Sequence, residues 1–361
     1  MDSPRFLIIQ LRKIGDVLIS TTLCETLKRN YPTAQVDYVV YPYAASVAEN
    51  NPFIDNLVVV PKKINIFYFF KLSKILKFIR RQKYDYVIDV LGTPKSIRLA
   101  KNCCAKKVVG KYFEKKRSKK YDIRIKYDGK RFLTDNSCCV SIKNRLYLLK
   151  FLKKQLNYYT NLNLHLVAQE FEHGNHLLKE KSLDVNKAMF FFSIASSTPQ
   201  KTSWSLDYFA EVIDYCIEKY NVNIVMTSPE KEDNQREKYL RSKISNKKSL
   251  FIIGNTTLRN AAAIMHRCIL FVGNDSGPKH VAIAMSLPSI AIFSPAINYV
   301  DWHYNEDKYF AVHIQEVLGL NSNEYEDLLN QQTLRKTQEL YKLIKPDLVK
   351  AKIEQLFTKV R

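Results

Sequence analysis

The amino-acid sequence predicts an α/β protein built as two doubly wound domains that share a cleft. Three observations lead there. The chain has 361 residues, more than one ordinary domain holds. Apolar runs of strand length alternate with segments of helical period in both halves. Each half also carries a short polar turn between a strand and a helix: Lys13-Ile-Gly15-Asp16-Val17 near the start, and Val272-Gly-Asn-Asp275-Ser276-Gly277-Pro-Lys-His280 towards the end. In open α/β sheets ligands bind outside the carboxyl ends of the strands, where such turns lie.

The elements follow in order. Phe6–Leu11 is a short apolar strand, and Asp16–Arg29 fits a helix carrying Val17, Leu23 and Leu27. Val36–Val40 and Leu57–Val60 are β-rich runs, Asn65–Arg81 has helical spacing, and Tyr86–Val90 is a strand ending at Leu91-Gly92. Lys106–Arg131 reads as a basic loop without a period, and Lys143–Lys154 as a helix. The polar stretch Gln169–Lys187 is expected to connect a domain of residues 1–170 to a second of residues 187–345. In that second series Ala188–Ile194 is a strand and Ser196–Trp204 a loop. Ser205 is the expected N-cap of a helix Leu206–Tyr220, whose Leu206, Phe209, Ile213 and Ile217 form one apolar stripe. Val222–Met226, Ser249–Ile253, Ile269–Val272 and Ser289–Phe293 are the later strands. Pro346 opens a terminal helix within residues 346–361.

Composition narrows the class. No run approaches the roughly 18 apolar residues of a membrane span. Leu7–Leu11 is too short for a signal-peptide core, so a cytoplasmic protein is expected. The seven cysteines, an odd number with two adjacent pairs, fit buried reduced thiols better than disulfides or a Cys-x-x-Cys metal site. Charge is uneven. Residues 1–180 hold 34 basic and 15 acidic side chains, a balance of +19, against 23 and 20, a balance of +3, in residues 181–361. An anionic partner is therefore expected on the first half.

Four places are candidates for chemistry. At the second turn, small residues and a helix start offer bare N–H groups to an anion, with Asp275, Ser276, Gly277 and His280 as contacts. An ordinary tight turn with a capping Asp is the bland alternative. Gly-Asn-Asp-Ser-Gly-Pro also resembles the nucleophile segment of chymotrypsin-like proteases. Those domains are all-β, however, and no Gly-x-Ser-x-Gly elbow is present. Asp16, at the first turn, is either a base or a helix cap. The helix dipole stabilises its anion, so proton removal would be concerted with bond making. Ser196-Ser197-Thr-Pro-Gln-Lys201-Thr-Ser-Trp204 offers hydroxyls and an ammonium suited to a diphosphate. Lys62, Lys63, Ile66-Phe67-Tyr68-Phe69-Phe70, Lys71, Lys74, Lys77, Arg80 and Arg81 mix cations with aromatics, as a membrane surface or lipid headgroup requires. A solvated helix face is the alternative there. No nucleic-acid motif accompanies the charge. No dinucleotide or Walker loop and no metal-ligand spacing occurs, so no cofactor and no metal are expected.

Taken together the chain resembles glycosyltransferase family 9, the ADP-heptose:lipopolysaccharide heptosyltransferases. The likeness runs through Phe6-Leu-Ile-Ile-Gln-Leu-Arg-Lys-Ile-Gly-Asp-Val-Leu, Leu27-Lys-Arg-Asn-Tyr-Pro and Tyr84-Asp-Tyr-Val-Ile-Asp. It continues through Val272-Gly-Asn-Asp-Ser-Gly-Pro-Lys-His and Ser286-Leu-Pro-Ser-Ile-Ala-Ile-Phe-Ser-Pro. The resemblance implies the glycosyltransferase-B architecture, two Rossmann-like domains facing across a cleft. It implies inverting, metal-independent transfer of heptose from ADP-L-glycero-D-manno-heptose to the inner core of lipopolysaccharide. It further implies Asp16 as general base and Lys201 at the donor phosphates, with Ser196, Ser197, Asp275, Ser276, Gly277 and His280 as donor contacts. Thr256 and an acid among Glu230 and Glu232 are implied at the ribose and base. The acceptor, a lipid A–Kdo glycolipid at the cytoplasmic face of the inner membrane, would meet Lys13, Lys62, Lys63, Lys71 and Lys74. Two departures stand out: Lys201 lies one residue further from Trp204 than in the family's Lys-x-Trp, and Ser205 replaces a frequent Pro. A glycosyltransferase using another nucleotide sugar, or a non-catalytic anionic-lipid-binding protein, are the alternatives.

Overall fold

The computed structural model describes residues 3–62, 68–112, 119–127, 133, 138–181, 183–184, 186–196, 203–230, 234–331 and 333–360. The chain divides into two compact units, Met1–His165 and Leu166–Arg361, and each is built on one all-parallel sheet.

In the first unit β1 (Arg5–Ile9), β2 (Gln35–Val40), β3 (Asn56–Val59), β4 (Tyr86–Asp89), β5 (Lys107–Lys111) and β6 (Ile123–Ile125) lie in the order β3-β2-β1-β4-β5-β6. In the second, β7 (Met189–Ser193), β8 (Asn223–Thr227), β9 (Leu250–Ile253), β10 (Leu270–Asn274), β11 (Ser289–Ile292) and β12 (Tyr309–Val312) lie in the order β12-β11-β10-β7-β8-β9. Read from its other edge this is the same winding. Each sheet therefore has one switch point, at β1/β4 and at β7/β10, and doubly wound folds bind ligands outside the carboxyl ends of those strands.

The strands form because both sheet faces are covered. Phe190, Phe191 and Phe192 in β7 are all buried, as continuous apolar runs in parallel sheets are. The helix Ile14–Asn30 is buried over most of its length although it carries Ser20, Thr21 and Thr22. Their hydroxyls donate back to the carbonyls of Asp16, Leu18 and Ile19 at 2.8, 2.7 and 2.8 Å, which satisfies each donor within the helix. Gly273 in β10 lies against β7 so closely that a Cβ would stand 2.6 Å from the Ser193 carbonyl oxygen, so only glycine closes this switch point.

Three sequence expectations are corrected. Gln169–Lys187 is not a plain connector. It contains the helix Ala168–Glu180, packed so tightly on the helix Leu258–Met265 that a Cβ on Gly174 would stand 2.7 Å from Ala263 Cβ. Arg259 Nη2 donates to Glu170 Oε2 at 2.7 Å across the same contact. Lys106–Arg131 is not all loop, since β5 and β6 extend the first sheet there. Lys143–Lys154 begins as the α-helix Val140–Leu146 but tightens to a 3₁₀ helix over Tyr147–Leu152. Six cysteines are buried and reduced as expected, but Cys104 is exposed. Ser205 stands at the N-cap of Leu206–Tyr220 without a side-chain capping bond. The terminal helix Pro346–Val360 packs on that helix through Lys350 Nζ–Glu211 Oε1 (2.7 Å) and the rings of Tyr220 and Phe357, 4.5 Å apart.

Candidate active site

In the first unit Lys13 occupies the N-cap of Ile14–Asn30 with no side-chain capping bond. Gly15 and Asp16 thus fall inside the first turn, and Asp16 is not a cap. Its side chain is about 10% exposed, and Arg145 Nη2 approaches Oδ1 at 2.7 Å. Arg12 Nη1 stands 3.9 Å from the same oxygen. Arg145 is fixed on three sides, because Nε donates to Ser20 Oγ at 3.0 Å and Nη1 to the Ser141 carbonyl at 2.7 Å. Gln10 Nε2 completes the cluster with a 2.9 Å bond to Ser20 Oγ. A charge-assisted, multiply anchored pair of this kind sets a carboxylate's orientation more firmly than a lone contact. Arg145 was missed by sequence reasoning. It lies 129 positions from Asp16 in a stretch where lysine and arginine are common, and no local pattern marks it.

Lys13, Lys62, Lys71 and Lys74 are exposed. Lys62 Nζ sits 4.6 Å over the Tyr43 ring, and Tyr43 donates its hydroxyl to the Arg12 carbonyl at 3.1 Å. Lys63 lies outside the described residues.

In the second unit the loops after β7, β8, β9 and β10 leave the same sheet edge. Ser276 stands at the N-cap of the helix Gly277–Ala284 without a side-chain capping bond, with Gly277 as the first helical residue, and Ser276 Oγ donates to the Asn274 carbonyl at 3.2 Å. Asp275 does not cap that helix. Its carboxylate pairs with Lys279 Nζ at 2.5 Å, with side chains 9% and 1% exposed. Lys279 Nζ also donates to the Trp302 carbonyl at 2.9 Å and lies 4.9 Å over the Phe293 ring. His280 is buried, its ring edge-on to Trp302 and Tyr304. Ser196 is half-buried at the carboxyl side of β7 and Glu230 is exposed after β8. Thr256 donates its hydroxyl to the Ser228 carbonyl at 2.8 Å, closing the β8 and β9 loops on each other. Ser197, Lys201 and Glu232 lie outside the described residues.

Two further side chains brace this edge, and no sequence pattern marks either role. Asn274 Oδ1 accepts from the Trp204 N–H at 3.0 Å, and its Nδ2 donates to the Ile194 carbonyl at 3.3 Å. Arg236 Nη2 donates to Ser203 Oγ at 2.7 Å and to the Ile194 carbonyl at 3.2 Å. Burial pushes the Arg236 guanidinium below its ordinary pKa. Both ends of the loop that contains Lys201 are therefore tied to one place. Trp204 is itself anchored by its indole N–H to the Ile344 carbonyl at 2.8 Å.

Two histidines of the second unit are held neutral. Burial, with Lys279 as the next cause, lowers His303 to about 4, and burial lowers His313 to about 4. His313 Nδ1 accepts from the Glu316 N–H at 3.4 Å as an N-cap, and the ring stacks 3.6 Å from Tyr299. Protonation of Nδ1 would end the capping bond. The folded pKa lies below the unfolded 6.5, so the unfolded chain binds more protons between pH 6.5 and about 4, and stability falls as pH falls through that window. The melting temperature of His313→Asn, which keeps a capping acceptor that does not titrate, is expected to fall less from pH 7 to pH 4.5 than that of the parent. Equal falls would show that His313 does not contribute. Among the described residues no group of three His, Cys, Asp or Glu side chains is placed to hold a metal ion.

The model of glycosyltransferase family 9 (heptosyltransferase) matches residues 72–310. The chain is 23% identical over 302 residues to lipopolysaccharide heptosyltransferase 3 of Escherichia coli, spanning 81% of this chain and 84% of that protein. It superposes on the family 9 glycosyltransferase from Veillonella parvula DSM 2008 with a TM-score of 0.80 at 21% identity, over 99% of this chain and 98% of that one. The E. coli heptosyltransferase WaaC, solved with ADP-2-deoxy-2-fluoro heptose, superposes with a TM-score of 0.61 at 17% identity, over 85% and 92% of the two chains.

Proposed function

Since this chain belongs to glycosyltransferase family 9, we propose that it transfers heptose from ADP-L-glycero-D-manno-heptose to the inner core of lipopolysaccharide, inverting the anomeric centre without a metal. The observation that carries the reading is Asp16, a buried carboxylate at the carboxyl end of β1 whose Oδ1 is held by Arg145. With Oδ1 engaged, Oδ2 takes the proton of the acceptor hydroxyl. The oxygen's electron pair forms the bond to the anomeric carbon while the bond from that carbon to the β-phosphate oxygen breaks. That electron pair leaves with ADP. In-line displacement of this kind inverts the centre.

ADP is a competent leaving group, so the requirement is positive charge at the diphosphate rather than a general acid. Lys201 and the helix start at Ser276 and Gly277 are assigned that role. One preorganised donor is commonly worth about 3–4 kcal/mol in a transition state. The nucleotide domain is assigned to residues 187–345, with Ser196, Ser197, Glu230, Glu232, Thr256, Asp275 and His280 around the donor. Residues 1–170 are assigned to the acceptor. Their positive balance and the exposed Lys13, Lys62, Lys71 and Lys74, with Lys63, support an anionic, lipid A–Kdo based acceptor. The same surface supports peripheral association with the cytoplasmic face of the inner membrane. No helix among the described residues is long and apolar enough to cross a membrane.

The donor assignment is tested by thermal shift. A nucleotide present at 100 times its dissociation constant stabilises by about 2.7 kcal/mol, so ADP is expected to raise the melting temperature well above the effect of UDP. Lys201→Ala is expected to lose most of that shift. An equal shift with UDP would point to another sugar nucleotide, and an unchanged shift in the variant would remove Lys201 from the phosphates.

A further inference from the structure

The helix Tyr68–Arg81 turns Leu72, Ile75, Leu76 and Ile79 towards the core of the first unit. Among the described residues it does not seal that side. A cavity of about 210 Å³ remains between it and the helix Pro94–Asn102, with Leu11, Tyr41, Val60, Leu72, Leu76 and Leu99 as its apolar walls. Lys62, Lys95 and Arg98 stand at its rim, and among the described residues no acidic side chain lines it. Past Leu72 and Leu76 a shallower depression continues along the same helix, flanked by Lys77, Arg80, Arg81 and Lys83, again without an acid among the described residues. Arg80 Nε donates to the Asn102 carbonyl at 2.8 Å, pinning the two helices together at that end.

Further round the same helix, and sharing Lys77 and Arg81 with that depression, residues 70, 74, 77, 78 and 81 form one stripe at helical spacing. There Phe70 is 72% and Phe78 39% exposed, among Lys74, Lys77 and Arg81. The helix carries no Asp or Glu at all.

An apolar floor with an all-cationic rim complements one chemistry: an acyl chain ending in an anionic headgroup. Apolar walls alone would suit any hydrophobic ligand, and lysines alone any anion. Only an amphiphile satisfies both, and two weak signals of different kind, a chain and a charge, are what reversible membrane attachment needs. We propose that this groove takes one acyl chain of a phosphate-bearing membrane lipid, with the phosphate at Lys62, Lys95 and Arg98, while Phe70 and Phe78 enter the interface beside it. The proposal rests on the membrane-surface part of the function proposed above and not on its chemistry.

Binding of dihexanoyl-phosphatidylglycerol below its micelle concentration tests it by calorimetry on the full chain, without donor or acceptor. Glycerophosphoglycerol, which is the same headgroup without chains, and dihexanoyl-phosphatidylcholine are the comparisons. The phosphatidylglycerol is expected to bind at least tenfold more tightly than either. Leu76→Gln, in the wall, and the paired exposed changes Lys95→Glu and Arg98→Glu, which leave the core untouched, are each expected to weaken it at least fivefold. Equal binding of the bare headgroup, equal binding of the zwitterionic lipid, no binding at all, or undiminished binding in the charge-reversed variant would each overturn the proposal. Because no sugar is transferred in the assay, failure of the heptosyltransferase reading leaves its result intact, and the reverse holds as well.

Discussion

Asp16→Asn is expected to lose about 10²–10⁴-fold in kcat, the usual worth of a positioned base, while its ADP thermal shift stays that of the parent. Asparagine is the informative replacement because of Arg145. That guanidinium is 11% exposed and bonded to Asp16 Oδ1 at 2.7 Å. An amide oxygen still accepts this bond but does not take a proton. Asp16→Ala is expected to be equally inactive, but it also strands a buried cation, and stranding one partner of a buried pair costs about 3–5 kcal/mol. Ser20 and the Ser141 carbonyl keep part of the guanidinium satisfied, so the alanine variant should fall at the low end of that range. Comparing the two variants separates the proton from the packing. A variant that kept a tenth of parental turnover would remove the base assignment. All proposed donor contacts lie in the other unit, and this is why nucleotide binding should not respond.

Lys279→Met is expected to be the largest destabilisation in the second unit, about 3–5 kcal/mol. It leaves the Asp275 carboxylate, 9% exposed, without the ammonium that meets it at 2.5 Å. Replacing both members, Lys279→Met with Asp275→Leu, removes the stranded charge, and apolar replacement of a whole buried pair is often neutral or better. The double variant should therefore melt close to the parent. If Asp275 also contacts the donor, the double variant will be folded and yet show a reduced ADP shift. Full stability with a full ADP shift would leave the pair a purely structural device. Similar melting temperatures for the single and double variants would show that the unpaired Asp275 carboxylate costs nothing.

The legible part of this protein was the part written in neighbouring residues. Strands such as Phe6–Ile9 and Phe190–Phe192 are continuous apolar runs because both sheet faces are covered. The turns at Asp16 and Asp275 are marked by the small and polar residues that a strand-to-helix reversal needs. β5 and β6 were hidden because they are short and basic: β5 begins and ends in Lys107 and Lys111, and β6, the edge strand, carries Arg124. The helix Ala168–Glu180 was hidden for a related reason. It buries only Gly174 and Leu178, too narrow a stripe to stand out in a polar sequence.

The partners of the candidate site were hidden for a different reason. Arg145 and Lys279 are ordinary cations in a chain with 57 lysines and arginines. What distinguishes them is burial created by distant segments, by Ser20 and Gln10 in one case and by Phe293 and Trp302 in the other. Arg236 and Asn274 act through backbone groups some 42 to 80 positions away. Side-chain type offers no hint of such partners until the strands are in order.

Heptosyl transfer is tested by ADP release from ADP-heptose, followed with heptose-deficient core lipid, with heptose-containing core lipid and with neither. Release is expected to require one of the two acceptors, to be matched by one heptose gained per acceptor, and to be lost in Asp16→Asn. Folded, ADP-binding protein that releases nothing with either acceptor, or releases ADP equally without one, would contradict heptosyl transfer.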